Sequence, residues 1–540
     1  MTHQIKPRAA VRSAVLDSAH LGDITGAFGT IRVNDHGPRA NWKHRLTTLL
    51  AILGPGLIVM VGDNDAGAFA TYGQAGQNYG TTLLWTLLLL VPVLYVNQEM
   101  VLRLGAVTGV GHARLILERF GKFWGAFSVT DLFLLNSLTI VTEFIGISLA
   151  LDYLGVSKLA GVGVAAVLTI MAASTGNFRR FERFSMMLVL GSLFLVPVFL
   201  MVHPPLGQVA RDFFIPQLPE GRLSDTMLLI IGIVGTTVAP WQLFFQQSYV
   251  IDKRITPRFM TYEKIDLWIG IGFVVVGGVA IMAMAAAAFA GTEAFGNFTD
   301  AGGLAAGLEA HAGKLPAILF AIALMDASII GAAAVSLSTA YAIGDVLSLR
   351  HSLHRKPTDA IGFYLVYVAL IAGAAALVLL PGSPLGLITV AVQTLAGVLL
   401  PSATVFLLLL CNDHAVLGPW VNGRWLNLFT SAVIAVLVLL SLVLTASVAF
   451  PDISAGEIGG ILLGGGIVAL LTGGAALLRR SKPVDRNGRM GWRMPPLEEL
   501  GRVEVSSSRR LWMMVLRAYL VIACGMVVVR VVQLALQQNG

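Results

Sequence analysis

The sequence predicts an all-α polytopic membrane protein: two inverted five-helix repeats with broken helices 1 and 6, then about three further C-terminal transmembrane helices. Three observations carry this. The 540 residues are 56% hydrophobic and only 12% charged, with a mean hydropathy of +0.78; a soluble domain carries about 25% charged residues. Apolar runs of about 20 residues recur without the alternation of a β-barrel, the length a helix needs to cross hydrocarbon. The first and sixth runs are each interrupted by glycine, proline or polar residues.

In order, the apolar segments lie near 46–71, 80–102, 127–151, 158–174, 184–203, 226–250, 266–290, 315–347, 360–380, 386–411, 427–450, 458–478 and 511–536. The 315–347 run is long enough to tilt or to run on into a loop. Residues 46–411 form the expected ten-segment transport core, and 412–478 add segments eleven and twelve. Residues 479–510 are a basic linker, and 511–540 hold a last helix. Residues 1–45 are polar, lack the apolar core of a cleavable signal peptide, and read as a loosely folded tail.

Loop charge tests this count. With the N-terminus inside, the inner segments hold 31 Lys and Arg and the outer loops only four, Lys158, Arg211, Arg222 and Lys314. Cytoplasmic loops carry such an excess. The expected topology therefore puts the N-terminus in the cytoplasm and the C-terminus outside, if segment thirteen spans. The linker, with nine Lys and Arg, is expected against anionic headgroups. The net charge of +7 is spread over many loops and is no nucleic-acid patch. Cys411 and Cys524 give neither a disulfide framework nor a metal spacing. No nucleophile–base pair appears and the soluble segments are short, which sets an enzyme aside.

The first interruption is the chemically telling one. Asp63, Asn64 and Asp65 sit at membrane depth, followed by Ala66, Gly67 and Ala68. Carboxylates there are costly and mark an ion or substrate path. The flanking glycines let the helix break and turn carbonyls inward. The second interruption, Gly235 to Pro240, lies five segments later, so the expected cation site lies between the two broken helices. Asn64 is read as bonding exposed backbone. Asp326, in segment eight, is a further buried carboxylate without a place in the site. His112, His203, His311, His351, His354 and His414 lack metal-ligand spacing. Glu182, Arg179 and Arg180 read as a cytoplasmic charge cluster.

These residues resemble the natural resistance-associated macrophage protein (Nramp) family of transition-metal transporters. The resemblance rests on Gly54-Pro55-Gly56, Asp65-Ala66-Gly67-Ala68, Gln74-Ala75-Gly76, Thr142-Glu143-Phe144-Ile145-Gly146, Ala239-Pro240-Trp241, the run from Asn177 to Glu182, and the run from Val421 to Asn427. It covers roughly residues 45 to 450 and implies a LeuT-like fold. It also implies a metal site at Asp65, at the position of Ala68, at the position of Ala239 and at the carbonyl of Thr236 beside Gly235. The family has Asn where this chain has Ala68, Met where it has Ala239, and His where it has Trp241. An acidic residue linked in the family to proton movement falls at Ile140.

A thioether is soft and favours Mn²⁺ and Fe²⁺ over Mg²⁺ and Ca²⁺. Losing it at Ala239, and an oxygen ligand at Ala68, leaves a wider site with fewer protein ligands. Mg²⁺ keeps several waters and takes one or two carboxylates, which Asp65 and Asp63 supply. Gln393, in segment ten, is expected to orient water around the ion or to tie helices together. Glu143 is the remaining coupling candidate or a helix brace; Trp241, with Pro240 and Gly67, forms packing or a gate wall. The expected function is import of Mg²⁺, with Mn²⁺ as a further substrate, without proton coupling. No cofactor is expected. The partners are divalent metal ions and the lipid bilayer of a bacterial inner membrane, with the chain a monomer.

Three alternatives stand beside it. A conventional Mn²⁺/Fe²⁺–proton symporter would tolerate the missing Met. A sodium-coupled amino-acid transporter of the same fold would present helix N-termini to a carboxylate, which Asp63 and Asp65 would repel. A sensor that has lost its ligands would not need Asp65 or the two breaks.

Overall fold

A computed structural model describes residues 17–219, 223–380, 385–450, 453–478 and 486–503, with scattered positions between 511 and 529. Helix α1 (Trp42–Ile52) is largely exposed and turns by 52° into α2 (Pro55–Val61). The turn has two causes. Pro55 begins α2, where its missing N–H costs nothing. Gly54 takes φ +157°, and the space of its absent Cβ is filled by Glu182 and Lys253. Helix α2 stops at Val61, residues 62–65 leave the helix, and α3 (Ala66–Tyr79) resumes it with Asp65 as N-cap. The expected first segment, 46–71, thus divides into α1, α2 and the start of α3, with the helix left at 53–54 and again at 62–65.

The chain continues through α4 (Trp85–Thr108), α5 (His112–Phe120), α6 (Lys122–Tyr153) and α7 (Lys158–Ala173). Next come α8 (Phe178–Gly191), joined by a single 3-10 turn to α9 (Leu195–Val202), and α10 (Leu206–Phe214). The second half opens on α11 (Leu223–Thr237) and α12 (Pro240–Asp252), separated only by Val238 and Ala239, a shorter break than the sequence suggests. Then follow α13 (Met260–Phe289), α14 (Ala301–Ala312), α15 (Lys314–Leu347), α16 (Ile361–Val378), α17 (Leu385–Cys411), α18 (His414–Leu417), α19 (Arg424–Ala449) and α20 (Ala455–Leu478). The long eighth segment is one continuous helix of 34 residues.

Among the described residues, nine helices are long and apolar enough to cross a membrane, and the bent pair α1–α2 makes a tenth. Helix α7, at 16 residues, is shorter. Much of segment thirteen lies outside the described residues; where it is described, Arg517 lies over Phe127 at 3.6 Å and Tyr519 meets Thr445 at 3.0 Å. Arg222 and Cys524 also lie outside the described residues. The core places α13 against α2 and α3, α11 against α17, α12 against α4, and α15 against α6. Both breaks are therefore enclosed by protein, the condition under which irregular backbone survives at membrane depth.

One expectation about the polar segments is corrected. Residues 17–41 are folded, with β1 (Ile24–Thr25) antiparallel to β2 (Thr30–Ile31). Arginines of the loops and helix ends hold their carbonyls: Arg179 Nε donates to Gly26 O at 3.1 Å, Arg183 Nε to Ala27 O at 3.1 Å, and Arg254 Nη2 to Ala19 O at 2.8 Å. The described linker residues pack on protein: Trp420 Nε1 donates to Arg489 O at 2.9 Å, Val503 N to Arg119 O at 2.9 Å, and Met494 is buried.

Nor is Glu182 part of a solvated cluster. It is fully buried, pairs with Lys253 Nζ at 2.7 Å and accepts from Ala27 N. Removing one partner of such a pair strands the other charge. Glu182→Ala is expected to cost about 3–5 kcal/mol, with much of the loss recovered by adding Lys253→Met. Thermal unfolding of the purified protein reads this, and equal stability of the single variant and the wild type would refute it.

Candidate cation-binding site

Every residue named from the sequence for the site is on or beside the two breaks, and all of their side chains are buried. Asp65 caps α3: its Oδ1 accepts from Ala68 N at 3.0 Å. Glu143, on α6, reaches the same turn, with Oε2 accepting from Ala66 N at 3.2 Å and Oε1 without a partner. The two side chains are close neighbours: a Cβ on Gly331 would sit 2.8 Å from the Glu143 carboxyl carbon and 3.1 Å from Asp65 Cβ. Asp63 is fully buried two residues earlier. Its Oδ1 accepts from Gln242 Nε2, and its Oδ2 has no hydrogen-bond partner. Asn64 donates Nδ2 to Phe273 O at 3.3 Å, the backbone role the sequence suggests.

From the second break come Thr236, Ala239 and the turn itself. In a regular helix the Thr236 carbonyl would accept from residue 240, but Pro240 has no N–H, so that oxygen is left to another ligand. The Thr236 hydroxyl is buried and unpartnered. Thr237 turns away, its hydroxyl 2.7 Å from the Tyr72 hydroxyl. Ala239 caps α12 in an extended conformation, offering only a methyl group. Trp241 is 1% exposed, its carbonyl accepts from Ser338 Oγ at 2.8 Å, and its ring lies 3.6 Å from where a Cβ on Gly62 would sit. It packs the junction of the two broken helices.

Gln393 of α17 ties the breaks together. A Cβ on Gly67 would overlap its side-chain amide, and a Cβ on Gly235 would overlap its carbonyl oxygen and the nitrogen of Gly397. Its Nε2 is buried without a hydrogen-bond partner. Backbone at Gly235 cannot yield as a flexible side chain does. Gly235→Ala is expected to cost about 1–3 kcal/mol by overpacking, read as a lower unfolding temperature; an unchanged temperature would contradict the close contact.

Several polar groups escape a reading from sequence. Gln98 Nε2 donates to Gln242 Oε1 at 2.9 Å, so a chain of amides runs from α4 to Asp63. Gln246, one turn on, is fully buried with both polar atoms unpartnered. The signal was present: Gln242, Gln246 and Gln247 are amides inside an apolar run, which in a membrane helix face protein or water. The histidines do other work: His112 Nδ1 meets Gln247 Oε1 at 2.9 Å, His351 Nε2 meets Asp345 Oδ1 at 3.2 Å, and His354 Nε2 meets Asp252 O at 3.0 Å. Burial pushes His351 down, yet the Asp345 carboxylate, the Leu349 carbonyl and Asp252 together raise it above the usual imidazole range. Asp326 lies apart from the breaks, against Gly191.

Chemically, the breaks gather carboxylates, free carbonyl capacity and small apolar residues. The C-terminal ends of α2 and α11 turn negative helix-dipole ends toward them. Among the described residues no three carboxylate, imidazole or thiol side chains converge as direct metal ligands. An ion reaching the breaks would meet the buried carboxylates of Asp63 and Asp65.

The sequence model described as natural resistance-associated macrophage protein-like matches residues 56–447. A divalent metal cation transporter MntH of Ralstonia nicotianae is 32% identical over 410 residues, covering 73% of this chain and 88% of the relative. The MntH of Latilactobacillus sakei is 28% identical over 429 residues, covering 75% and 90%. Among solved structures, the Eremococcus coleocola manganese transporter bound to an aromatic bis-isothiourea compound superposes with a TM-score of 0.61 at 20% identity, over 83% of this chain and 97% of that one. That likeness shows the fold.

Proposed function

Because this chain belongs to the natural resistance-associated macrophage protein-like family, we propose that it imports Mg²⁺, and Mn²⁺ beside it, as a largely hydrated ion by alternating access. It is a multi-pass transporter of divalent metal cations and not an enzyme. One observation carries the choice of ion. The break presents two buried carboxylates, Asp63 and Asp65, while positions 68 and 239 contribute only methyl groups. That is a hard, sparse site, suited to a cation that keeps its water shell. Asp63 Oδ2, Gln393 Nε2 and the Thr236 hydroxyl are unpartnered groups able to hold those waters.

The basic end, with the folded tail and the linker, is proposed to face the cytoplasm. Inward movement of a divalent cation gains about 4.6 kcal/mol per 100 mV, twice the single-charge value. Uptake then needs no proton. A second reading has its own support, since Glu143 lies beside Asp65 as a proton acceptor would. That reading is the proton symporter, and the Ralstonia nicotianae relative is a divalent metal cation transporter.

Competition uptake of Mg²⁺, Mn²⁺ and Ca²⁺ into proteoliposomes with a pH dye inside tests both. Mg²⁺ entry without internal acidification is expected. Acidification in step with Mn²⁺ entry, with Mg²⁺ ignored, would replace the first reading by the second.

A further inference from the structure

Two amides stand behind Asp63, each where a membrane helix ordinarily carries an apolar residue. Gln98 on α4 and Gln242 in the first turn of α12 are both fully buried. A buried amide survives there when its donors and acceptor are matched. Among the described residues, Gln242 is also the one hydrogen-bond partner of the Asp63 side chain: Oδ1 accepts from Gln242 Nε2, and Oδ2 is left without a partner.

The partners fix which way each amide faces. Gln242 Nε2 also donates to the Thr237 carbonyl oxygen, at 3.4 Å. A carbonyl can only accept, so the Gln242 nitrogen belongs on that side and its Oε1 faces α4. There Gln98 Nε2 donates to Oε1 at 2.9 Å, which keeps Gln242 from turning over. The Thr237 anchor is itself held. Its hydroxyl donates to Ile233 O at 2.6 Å and lies 2.7 Å from the Tyr72 hydroxyl of α3. The arm that reaches Asp63 at the first break is therefore braced on α4 and on the second break.

We infer that Gln242, steadied by Gln98, is the positioning residue for Asp63: it holds Oδ1 so that Oδ2 is presented to the water shell of the transported ion. The inference rests on the import reading above, in which Asp63 meets those waters. Neither amide touches the ion, and each acts through Asp63, as groups behind a metal-binding side chain do. Without the arm Asp63 stays in place but is no longer aimed. The ion is then bound more weakly, while transport at saturation is kept.

A double-mutant cycle tests this, with Mg²⁺ uptake by the full chain in proteoliposomes followed over a range of external Mg²⁺. Gln242→Met keeps the side-chain length and removes the amide. It is expected to raise KM about ten-fold, with the maximal rate within about two-fold of wild type. Gln98→Met, which only unpins Gln242, is expected to raise KM by a smaller factor. Asp63→Asn is expected to raise KM about ten-fold, and adding Gln242→Met to it should raise KM no further. A glutamine that merely packs would add its own effect to that of Asp63→Asn. Additive effects, or an unchanged KM in Gln242→Met, overturn the arm. If Gln242→Met does not fold, Gln98→Met with and without Asp63→Asn decides by the same comparison. An unchanged KM in Asp63→Asn also overturns the arm, while wild-type uptake leaves the import reading standing. Wild-type protein that takes up no divalent cation overturns both.

Discussion

Asp65→Ala is expected to reduce divalent-cation uptake to background. Two things are lost together in that variant, and they can be separated. The first is the N-cap of α3, where Asp65 Oδ1 accepts from Ala68 N; an Ala there costs about 1 kcal/mol. The second is a buried negative charge at the break, 3% exposed and next to Glu143. Asn is as good a cap as Asp, so Asp65→Asn keeps the first and removes the second. The two variants should differ in stability by about that 1 kcal/mol and be equally inactive. Uptake into proteoliposomes beside thermal unfolding reads both quantities. Substantial Mg²⁺ uptake by Asp65→Asn would mean that the charge is not what draws the ion, and the site assignment would fall.

The sequence was most legible where burial contradicted chemistry. Asp63 and Asp65 in an apolar run, and Pro240 in another, located both breaks because each violates what a plain membrane helix tolerates. The lengths of the breaks were less legible. The second spans only Val238 and Ala239, since a proline removes one donor and the helix resumes at once, whereas Gly235 stays helical to make room for Gln393.

Least legible were the charged residues at segment ends. Glu182, Lys253, Glu263 and Asp266 look like ordinary loop charge, yet all four are fully buried. The partners of Glu182, Lys253 and Asp266 come from four separate stretches of chain, and nothing local foretells that assembly. The same holds for the tail, whose carbonyls are held by arginines more than 150 positions away. Polar composition suggested a loose segment; satisfaction of its backbone by distant guanidinium groups made it a folded one.

The two alanines make the strongest test of ion choice. Ala68→Asn with Ala239→Met is expected to raise the preference for Mn²⁺ over Mg²⁺ about ten-fold, a difference of about 1.4 kcal/mol. The substitutions should not contribute equally. Ala68 is fully buried in the first turn of α3, where its N–H already binds Asp65; an Asn there adds a hard oxygen, which Mg²⁺ and Mn²⁺ both accept. Ala239 is the N-cap of α12, extended and 5% exposed; a Met there adds a soft sulfur, which only the transition metal rewards. Most of the shift should therefore appear in Ala239→Met alone, and little in Ala68→Asn alone. Each substitution also adds volume to a packed site, at a cost of about 1–3 kcal/mol. Uptake of both ions is therefore expected to slow while their ratio changes. Competition uptake measures that ratio directly. An unchanged ratio in a folded double variant would show that water, held by Asp63 and Asp65, governs selectivity whatever ligand stands at position 239.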